Sequence, residues 1–491
     1  MQQVSLYALN DSQLGNYQQA RMSRDQRFDG LFFVGVKTTG IFCRPVCKAR
    51  MPLEKNVQYL RSAAHAIESG FRPCLLCRPD SAPYSCAWQG VNTTVERAIT
   101  IITEQLDISI ESVAQRLGIS TRYLAKLFEQ HLQISPKRFQ LTQRILFAKQ
   151  LLHETTLSIE SVAQSAGFGS SKRLQYHMQQ HIALSPSQVR KTKTHYPLKR
   201  SQHISLFLRY RPPYDWPAIR DFFALRQLHG NEIIDERSIT KCMMINQYKV
   251  VFVAKHSANK CGFDVVLDLE DVRAIKPAMS HIRKLLDLDA DPIAIASALA
   301  STGLPKALIK EGIRLPGIID KFEGACRAVV GQQVSVKAAI GQLNLLNFML
   351  NKRLDKESVQ SKRAHNPALA SDSAVEFASL QPFLRPNDVA NADVSFLKMP
   401  NARKQSLSAL ATLLGNNPQA TEEDWLAVKG IGPWTVNYVK LRHATLPDVF
   451  LHTDLIIKQQ IKKLANDNID IHSALAAPYR SYLTLNLWNN S

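Results

Sequence analysis

A repeated heptapeptide constrains the fold of this chain more than any other feature. The sequence SIESVAQ stands at residues 109–115 and again at residues 158–164, and Gly118 and Gly167 follow it at the same offset. A repeat of this period indicates two copies of one supersecondary unit. Each copy reads as a short helix, a turn at the glycine and a second, polar or basic helix, which predicts two helix-turn-helix units in tandem.

Charge narrows the class of partner. The chain has 491 residues and a formal net charge of +20, and this excess of Lys and Arg favours a polyanion. No apolar run approaches the roughly 20 residues of a membrane-spanning helix, so we expect DNA rather than a membrane as the partner. Residues 1–12 lack the basic start and apolar core of an export signal, which predicts a cytoplasmic protein at the bacterial nucleoid.

Two close pairs of cysteines predict a metal centre. Cys43 and Cys47 are separated by three residues, Cys74 and Cys77 by two, and 26 residues lie between the pairs. Each pair can span one edge of a tetrahedron, so the four thiolates predict one zinc ion per chain. Unrelated buried cysteines are the alternative.

The segments around these cysteines resemble the N-terminal domain of the Ada family of methyl-phosphotriester repair and adaptive-response proteins. The resemblance rests on TTGIFCRPVCKAR at residues 38–50 and GFRPCLLC at residues 70–77. It implies that Cys43 takes a methyl group irreversibly from a DNA phosphotriester, and that DNA phosphates are contacted by Thr39, Arg50 and Arg72. A closed zinc site that only folds the module is the alternative.

Electrostatics connects damage sensing to DNA binding in this module. A zinc ion with four thiolates carries net negative charge, which repels DNA phosphates but tolerates a neutral methyl phosphotriester. One negative charge is lost once Cys43 becomes a thioether. We therefore expect methylation of Cys43 to strengthen DNA binding.

The tandem units, over about residues 93–190, resemble an AraC-type DNA-binding domain. The repeated heptapeptide and AGFGSS at residues 166–171 carry this resemblance. It implies that the second helix of each unit, starting near Ser120 and Ser170, is a reading helix that contacts DNA. Arg122, Lys172 and Arg173 are among the predicted contacts to bases or phosphates. Helix-turn-helix geometry without DNA binding is the alternative, and two tandem copies in so basic a chain disfavour it.

A glycine hairpin near the C-terminus predicts a second kind of DNA contact. Gly430 and Gly432 flank one apolar residue in the segment KGIGPW, between two helical patterns. Amides exposed in such a hairpin can approach a phosphate closely, and the N-terminus of the next helix favours the anion. A lone pair of glycines is more often an ordinary turn. Trp434 and Tyr438 alternatively form one packed helix face, and Asp454 alternatively caps a helix.

The hairpin and three further segments resemble the helix-hairpin-helix DNA glycosylases of the AlkA type, 3-methyladenine DNA glycosylase II. The further segments are RPPYDW at residues 211–216, LPG at 315–317 and GQQVSV at 331–336. The resemblance implies that Asp454 is the catalytic carboxylate and that Gln333 enters the gap left by a flipped base. It also implies a monovalent cation at the hairpin carbonyls.

Glycosylase chemistry explains why these residue types are needed. Cleavage of an N-glycosidic bond places positive charge on the sugar, which a carboxylate at its face stabilises. A flipped, cationic methylated purine suits a pocket of electron-rich rings, for which Trp434, Tyr438 and Tyr479 are the candidates. Related enzymes that also cut the strand have a lysine where Trp434 stands, so we predict hydrolysis by water without a Schiff base.

We therefore expect a multidomain, mainly α protein with α+β parts. The expected parts are a small zinc-bound α/β module, an all-α double helix-turn-helix domain, a small antiparallel β-sheet subdomain and an all-α helix-hairpin-helix glycosylase core. Their predicted bounds are 1–85, 90–190, 203–285 and 286–491, with a basic linker at 191–202. Residues 351–374 are polar and predict a surface loop.

The expected function is bifunctional. One activity is a monofunctional DNA glycosylase that excises 3-methyladenine and other alkylated bases. The other is a zinc-thiolate methyl acceptor, a methyltransferase that acts once at Cys43 and regulates transcription. The expected partners are alkylated DNA, operator DNA and RNA polymerase, and a monomer is favoured. The alternative is a transcription regulator whose C-terminal domain binds damaged DNA without catalysis.

Overall fold

A computed structural model describes residues 11–24, 32–60, 66, 71–74, 77, 90–132, 134–191, 204–359 and 380–490. The chain divides into two units, residues 1–144 and 145–491. The division falls inside one helix, Pro136–Glu154, and each unit is described by itself. The predicted bounds of the five sequence segments stay predictions.

The first unit opens with helix α1, Asp11–Ser23, and a four-stranded sheet. The strands are β1 Phe33–Val36, β2 Ile41–Cys43, β3 Val57–Leu60 and β4 Arg72–Pro73, in the order β3-β1-β2-β4. β1 pairs antiparallel with β2 and β3, whereas β2 and β4 run parallel. A small core of aromatic and aliphatic side chains, with Phe33, Phe42 and Leu60 at its centre, holds the sheet together.

The first helix-turn-helix unit follows in the same part of the chain. Its helices are α2 Gly90–Glu104, α3 Ile110–Arg116, α4 Thr121–Leu132 and the first turns of α5 Pro136–Glu154. The Ser109 side chain caps α3 by accepting a hydrogen bond from the Ser112 amide at 3.1 Å. Gly118 ends the short helix with φ +66°, a conformation that glycine adopts without strain.

The second copy of the repeat reproduces these two local features. Its helices are the last turns of α5, α6 Ile159–Ser165, α7 Ser171–Ile182 and α8 Pro186–Lys191. Ser158 accepts from the Ser161 amide at 3.0 Å, and Gly167 has φ +75°. The repeated heptapeptide therefore specifies the same cap and the same turn twice.

The two copies of the repeat differ where the second copy contacts neighbouring residues of residues 145–491. Ser165 stands where the first copy has Arg116, and its hydroxyl donates to the backbone oxygen of Val272 at 2.9 Å. Nearby in the chain, Glu154 Oε2 accepts from the Phe207 amide at 3.0 Å. The second helix-turn-helix unit therefore contacts the next sheet at Phe207 and the segment that follows the sheet at Val272.

That sheet has five antiparallel strands in the order β5-β9-β8-β7-β6. The strands are β5 Ile204–Arg209, β6 Glu232–Ile234, β7 Ser238–Ile245, β8 Tyr248–Ser257 and β9 Gly262–Leu269. Helix α9, Trp216–Ala224, connects β5 to the region of β6. The antiparallel subdomain predicted from the sequence is confirmed.

Helices build the rest of the second unit around one buried helix, α12. They are α10 Ile275–Leu285, α11 Pro292–Ser301, α12 Lys321–Val330, α13 Val336–Val359, α14 Pro386–Ala390, α15 Asn401–Asn416, α16 Glu422–Leu426, α17 Pro433–Arg442, α18 Leu455–Asn466 and α19 Arg480–Asn489. Every residue of α12 from Phe322 to Val330 is buried, and α13, α15 and α17 pack against it.

A buried ion cluster joins α12 to the sheet. Lys241 Nζ lies 2.5 Å from Glu232 and 3.2 Å from Glu323. Arg327 lies 2.8 Å from Glu323 and 3.3 Å from Glu232. Two cations and two carboxylates balance in charge, which offsets part of the cost of burying them. Loss of any one of the four would leave an unpaired buried charge.

The predicted loop at residues 351–374 is wrong for its first part. Helix α13 continues to Val359, because the lysine, arginine and glutamate residues of this stretch are good helix formers. Residues 360–374 lie outside the described residues. The predicted fold class, multidomain and mainly α with small sheets, is confirmed. No helix in the described ranges combines the length and apolar character that crossing a membrane requires.

Candidate active site and metal centre

The glycine hairpin joins α16 to α17. Gly430 has φ +86°, and a Cβ added there would lie 2.2 Å from Ser406 Oγ. That hydroxyl is held in place because it donates to Lys429 O at 2.7 Å. Gly432 precedes the first residue of α17 and has open space where a Cβ would stand. Conformation and packing thus require glycine at 430, and the backbone at 432 is accessible to a ligand.

The loop between α12 and α13 is tied to this hairpin. Gln332 Nε2 donates to Gly430 O at 3.1 Å and to Thr435 Oγ1 at 3.2 Å. Gln333 is exposed and has φ +54°, which places it at the turn of the loop. Since Gly430 O and Lys429 O already accept hydrogen bonds from side chains, the predicted monovalent cation at the hairpin carbonyls has no support from this geometry.

Four N–H groups hold the Asp454 carboxylate. Asp454 is the N-cap of α18, and its Oδ1 accepts from the amides of Ile456 and Ile457 at 3.0 and 3.2 Å. The indole of Trp488 donates to the same oxygen at 3.2 Å. The indole of Trp434 donates to Oδ2 at 2.8 Å. The helix-cap alternative is therefore correct as a description of the backbone, and the two indoles add contacts that a cap alone does not need.

A cavity of about 350 Å³ lies beside this carboxylate. Asp454, Trp434, Tyr438 and Trp488 all contribute to its lining. The rings of Trp434 and Tyr438 stack with centroids 5.3 Å apart and planes 26° apart. Two of the three predicted pocket rings therefore lie together with the predicted catalytic residue.

Tyr479, the third predicted pocket ring, is placed elsewhere. Its ring centroid lies 6.1 Å from that of Tyr482, within the apolar cluster around α19. Trp488, from the last turns of the same helix, lines the cavity instead. The sequence signal for this residue was a tryptophan near the end of the C-terminal helix, which the prediction of Tyr479 overlooked.

Three arginines of the cavity lining were not predicted from the sequence. Arg226, Arg327 and Arg442 all line it. Arg327 belongs to the buried ion cluster, whereas Arg442 donates from Nη1 to the Tyr438 hydroxyl at 2.9 Å. The sequence gives no signal for these residues, because the fold brings them together from three separate segments.

Strand pairing creates the metal centre. The parallel pairing of β2 with β4 places Cys43 beside Cys74, whose amide donates to Phe42 O at 3.0 Å. A turn in which the Cys47 amide donates to Arg44 O at 3.1 Å brings the Cys47 sulfur back towards Cys43. The four Sγ atoms lie within 4.8 Å of one another. Zinc–sulfur bonds of about 2.3 Å imply tetrahedral sulfur separations of roughly 3.8 Å, so the four residues fit the ion.

The donor chemistry also fits a divalent cation. Cys43 gives a hydrogen bond to Cys77, and this bond, together with burial, raises the pKa of Cys43 above its usual range. The same hydrogen bond lowers the pKa of Cys77 to about 6, and burial raises the pKa of Cys47 to about 11. Without a cation, one thiolate thus suppresses ionisation of its neighbours, whereas four thiolates need a bound cation. A four-cysteine metal centre suited to zinc is confirmed.

The predicted DNA contacts lie in both units. In the first unit, Thr39, Arg50 and Arg122 are exposed, and Arg72 lies on β4, where its backbone pairs with β2. In the second unit, Lys172 and Arg173 are exposed in the first turn of α7. Their role in binding stays a prediction.

These features define a class: proteins that act on DNA through a thiolate metal centre, helix-turn-helix units and a hairpin-flanked cavity. Three family models match the chain. The metal binding domain of Ada matches residues 16–80, a helix-turn-helix domain matches residues 113–192, and the AlkA N-terminal domain matches residues 205–320.

Known relatives match the whole chain or one part of it. The probable bifunctional transcriptional activator/DNA repair enzyme AlkA of Mycobacterium tuberculosis is 30% identical over 96% of this chain and 95% of its own length. DNA-3-methyladenine glycosylase 2 of Escherichia coli is 29% identical over 57% of this chain and 95% of its own length. The bifunctional transcriptional activator/DNA repair enzyme Ada of Escherichia coli is 32% identical over 35% of this chain and 48% of its own length.

The chain belongs to the family of bifunctional transcriptional activator/DNA repair enzymes of the AlkA type. The predicted fusion of an Ada-type module, a helix-turn-helix domain and an AlkA-type glycosylase is confirmed. So is the predicted bifunctional role in DNA repair and transcriptional regulation.

Proposed function

We propose that the second unit is a monofunctional DNA glycosylase that hydrolyses the N-glycosyl bond of 3-methyladenine and other alkylated bases. One observation carries this proposal: the Asp454 carboxylate, oriented by two indole N–H groups, lines a cavity large enough for a flipped base. The relative DNA-3-methyladenine glycosylase 2 supports the substrate class by its name.

The reaction follows from the charge at the sugar. As the bond from C1′ to the base nitrogen breaks, the base leaves with the bonding electrons and C1′ becomes positive. The Asp454 carboxylate stabilises that charge, and the effect is largest when the bound base excludes water from the cavity. A water oxygen then bonds to C1′ and loses a proton to solvent, which leaves an abasic site. Trp434 has no amine, so a Schiff base does not form there.

The two loops beside the cavity bind the DNA. Gly430 and Gly432 expose hairpin amides to a phosphate, and Gln333 at the turn of its loop enters the gap left by the flipped base. Gln332 bonds the two loops together. The distance between the Gln333 loop and the phosphate-binding hairpin therefore stays constant while the base enters the cavity.

A strand-break assay on methylated DNA tests the glycosylase and its mechanism. We expect abasic sites that become breaks only after alkali, and no trapped covalent complex after borohydride reduction. Breaks without alkali, or a trapped complex, would contradict the monofunctional mechanism. No release of base by the wild-type protein would leave the rival role, a regulator that binds damaged DNA without catalysis.

We further propose that Cys43 is a methyl acceptor. Its thiolate attacks the methyl carbon of a neutral phosphotriester: the S–C bond forms, the C–O bond breaks, and the phosphodiester oxygen keeps the electron pair. Cys43, Cys47, Cys74 and Cys77 would hold the zinc ion, whose charge would keep the Cys43 sulfur deprotonated at neutral pH. Loss of one negative charge then lets Thr39, Arg50 and Arg72 approach intact phosphates.

Mass spectrometry after exposure to methyl-phosphotriester DNA tests this step. We expect one added methyl group, on Cys43, and tighter DNA binding afterwards. A methyl group on another of the four cysteines, or unchanged binding after methylation, would contradict the proposal. Cys47→Ser serves as a control that removes a ligand but leaves the proposed acceptor in place.

The regulatory half acts through the two reading helices in this proposal. Arg122 on α4 and Lys172 and Arg173 on α7 contact operator DNA, and RNA polymerase is the partner for activation. The protein acts as a monomer in the cytoplasm, at the nucleoid. Substitution of Lys172 and Arg173 by alanine should weaken operator binding and reduce its salt dependence, whereas base release should persist.

A further inference from the structure

The two copies of the repeat differ at the two positions through which the second copy bonds the sheet subdomain. Gln105 and Arg116 of the first copy correspond to Glu154 and Ser165 of the second, at the same offset of 49 residues that relates the repeated heptapeptides. In the first copy the two side chains bond each other, because Arg116 Nη1 donates to Gln105 Oε1 at 3.0 Å, and both residues are exposed. In the second copy both side chains bond backbone groups outside the repeat.

The bonds of the second copy lie at two separate places. Glu154 Oε2 accepts from the Phe207 amide at 3.0 Å, and Gln150 Nε2 donates to Glu154 Oε1 at 3.3 Å. Phe207 belongs to β5, an edge strand, and an edge strand has amides that no neighbouring strand pairs. Ser165 Oγ donates to Val272 O at 2.9 Å, and Ser165 is only 6% exposed. Two bonds thus attach the repeat to both the strand edge and the segment after the sheet.

The face of the second copy that makes these bonds is buried and has smaller side chains than the first copy. Ala166 is fully buried where the first copy has Leu117. Helix α6 packs against the turn Val272–Ala274. On α5, the buried Phe147 ring has Lys276 Nζ 5.2 Å from its centroid. Small side chains allow close approach of the backbones, so the shape of this face suits a protein partner rather than solvent.

Helix α6 also holds the start of the reading helix α7. Glu160 Oε2 accepts from the Ser171 amide at 3.1 Å, so a side chain of α6 pairs the first amide of α7. A carboxylate at that place also interacts favourably with the N-terminal end of a helix. The helix that contacts the sheet subdomain through Ser165 therefore positions the turn that contains the predicted DNA contacts Lys172 and Arg173.

We propose that the face formed by Glu154, Ser165 and Ala166 is a docking surface for the sheet subdomain, and that it makes α7 a fixed part of the body that contains the base cavity. Its partner is a backbone surface of the same chain, the edge of β5 and the turn Val272–Ala274. The sheet thereby sets the direction in which α7 meets DNA. The inference goes beyond the proposed function and does not depend on catalysis at Asp454.

Hydrogen exchange of the full-length protein tests whether the two bonds belong to one docking surface. Ser165→Arg introduces the residue of the first copy, where the helix-turn-helix fold accommodates arginine, but at a buried position where the longer side chain displaces the turn after the sheet. We expect exchange at the Phe207 amide to become faster by at least about tenfold, although Ser165 does not bond Phe207. Glu154→Ala should in turn speed exchange in the turn Val272–Ala274.

Arg116→Ser makes the reverse exchange in the first copy and is the matched control. It should leave exchange in β5 and in the turn Val272–Ala274 unchanged, since Arg116 bonds neither. Exchange within α7 verifies that the second helix-turn-helix unit stays folded in Ser165→Arg. If α7 unfolds in that variant, Glu154→Ala decides, because it removes only a half-buried carboxylate.

Time-resolved fluorescence anisotropy tests whether docking fixes α7. A dye is attached through a genetically encoded side chain at Gln180, an exposed residue of α7. In the wild-type protein the helix should rotate with the rest of residues 145–491, whereas Ser165→Arg should add a component several-fold faster than this rotation. The inference is overturned if Ser165→Arg changes exchange in the turn Val272–Ala274 alone, if both proteins show the same decay, or if the wild type already has the faster component.

Discussion

The hairpin glycine Gly430 allows a prediction whose size follows from the structure. In Gly430→Ala, the new methyl group would have to occupy space 2.2 Å from Ser406 Oγ. The backbone would also have to keep φ at +86°, where an L-residue is strained. Both effects act in the folded state only, so the substitution should destabilise the second unit.

The two effects can be sized separately. A left-handed conformation costs a non-glycine residue roughly 1–2 kcal/mol. Moving the Ser406 hydroxyl disturbs its hydrogen bonds to Lys429 O at 2.7 Å and to Ala402 O at 2.9 Å, which costs about 1 kcal/mol more. We therefore expect Gly430→Ala to lower the free energy of unfolding by about 2–3 kcal/mol and to weaken DNA binding, because the amides of the hairpin shift.

Urea denaturation followed by tryptophan fluorescence measures this loss, since Trp425 and Trp434 flank the hairpin. Ser406→Ala provides the matched background, because it removes the atom that the methyl group would strike. In that background Gly430→Ala should cost only the conformational part, roughly 1–2 kcal/mol. The reasoning is refuted if the glycine substitution costs less than about 0.5 kcal/mol, or if its cost is the same with and without the Ser406 hydroxyl.

Three further predictions concern other contacts. Trp488→Phe keeps the ring but removes an N–H from Asp454, so single-turnover base release should slow roughly tenfold, and an unchanged rate would contradict the role of that indole. Burial raises the pKa of Asp287 to about 7, so the folded protein retains a proton that the unfolded chain loses near pH 4, and stability should fall as pH rises from about 4 to about 7. Asp287→Asn should flatten this dependence in urea midpoints measured at about pH 5 and about pH 8, and a slope equal to that of the wild type would exclude Asp287 as its source. Ser165→Ala removes the donor to Val272 O, and hydrogen exchange of the second helix-turn-helix unit should become faster by the equivalent of about 1 kcal/mol, whereas unchanged exchange would mean that this contact does not hold the unit in place.

Short motifs predicted the helix-turn-helix units and the metal centre, because these features depend mainly on residues close together in the sequence. The repeated heptapeptide predicted two helix-turn-helix units because its serine and its valine-alanine pair act within a few residues, through capping and burial. The cysteine spacing predicted the metal centre in the same way, although the parallel pairing of β2 with β4 that closes it depends on residues 31 positions apart.

The composition of the cavity depended on long-range contacts and could not be predicted. Trp434 and Tyr438 share one helix, so their proximity followed from helical spacing. Arg226 and Trp488 come from segments that are far apart in sequence and meet only after the sheet, α12 and α19 have packed. Tyr479 shows the limit directly: the choice between two aromatic residues of the C-terminal segment requires the path of the backbone.

The loop predicted at residues 351–374 was wrong over residues 351–359, for a related reason. Polar composition is shared by surface loops and by exposed helix ends, and only the continuation of α13 distinguishes them.

The central claim is that the Asp454 carboxylate stabilises positive charge on the sugar, and one rate tests it most directly. Single-turnover release of 3-methyladenine from methylated DNA should be compared between the wild-type protein and Asp454→Asn, which keeps the shape but loses the charge. We expect the rate to fall by roughly 100-fold or more, while affinity for a duplex that contains a tetrahydrofuran abasic analogue changes by less than about threefold. A rate within tenfold of wild type, or a loss of rate explained by weaker DNA binding, would contradict the account.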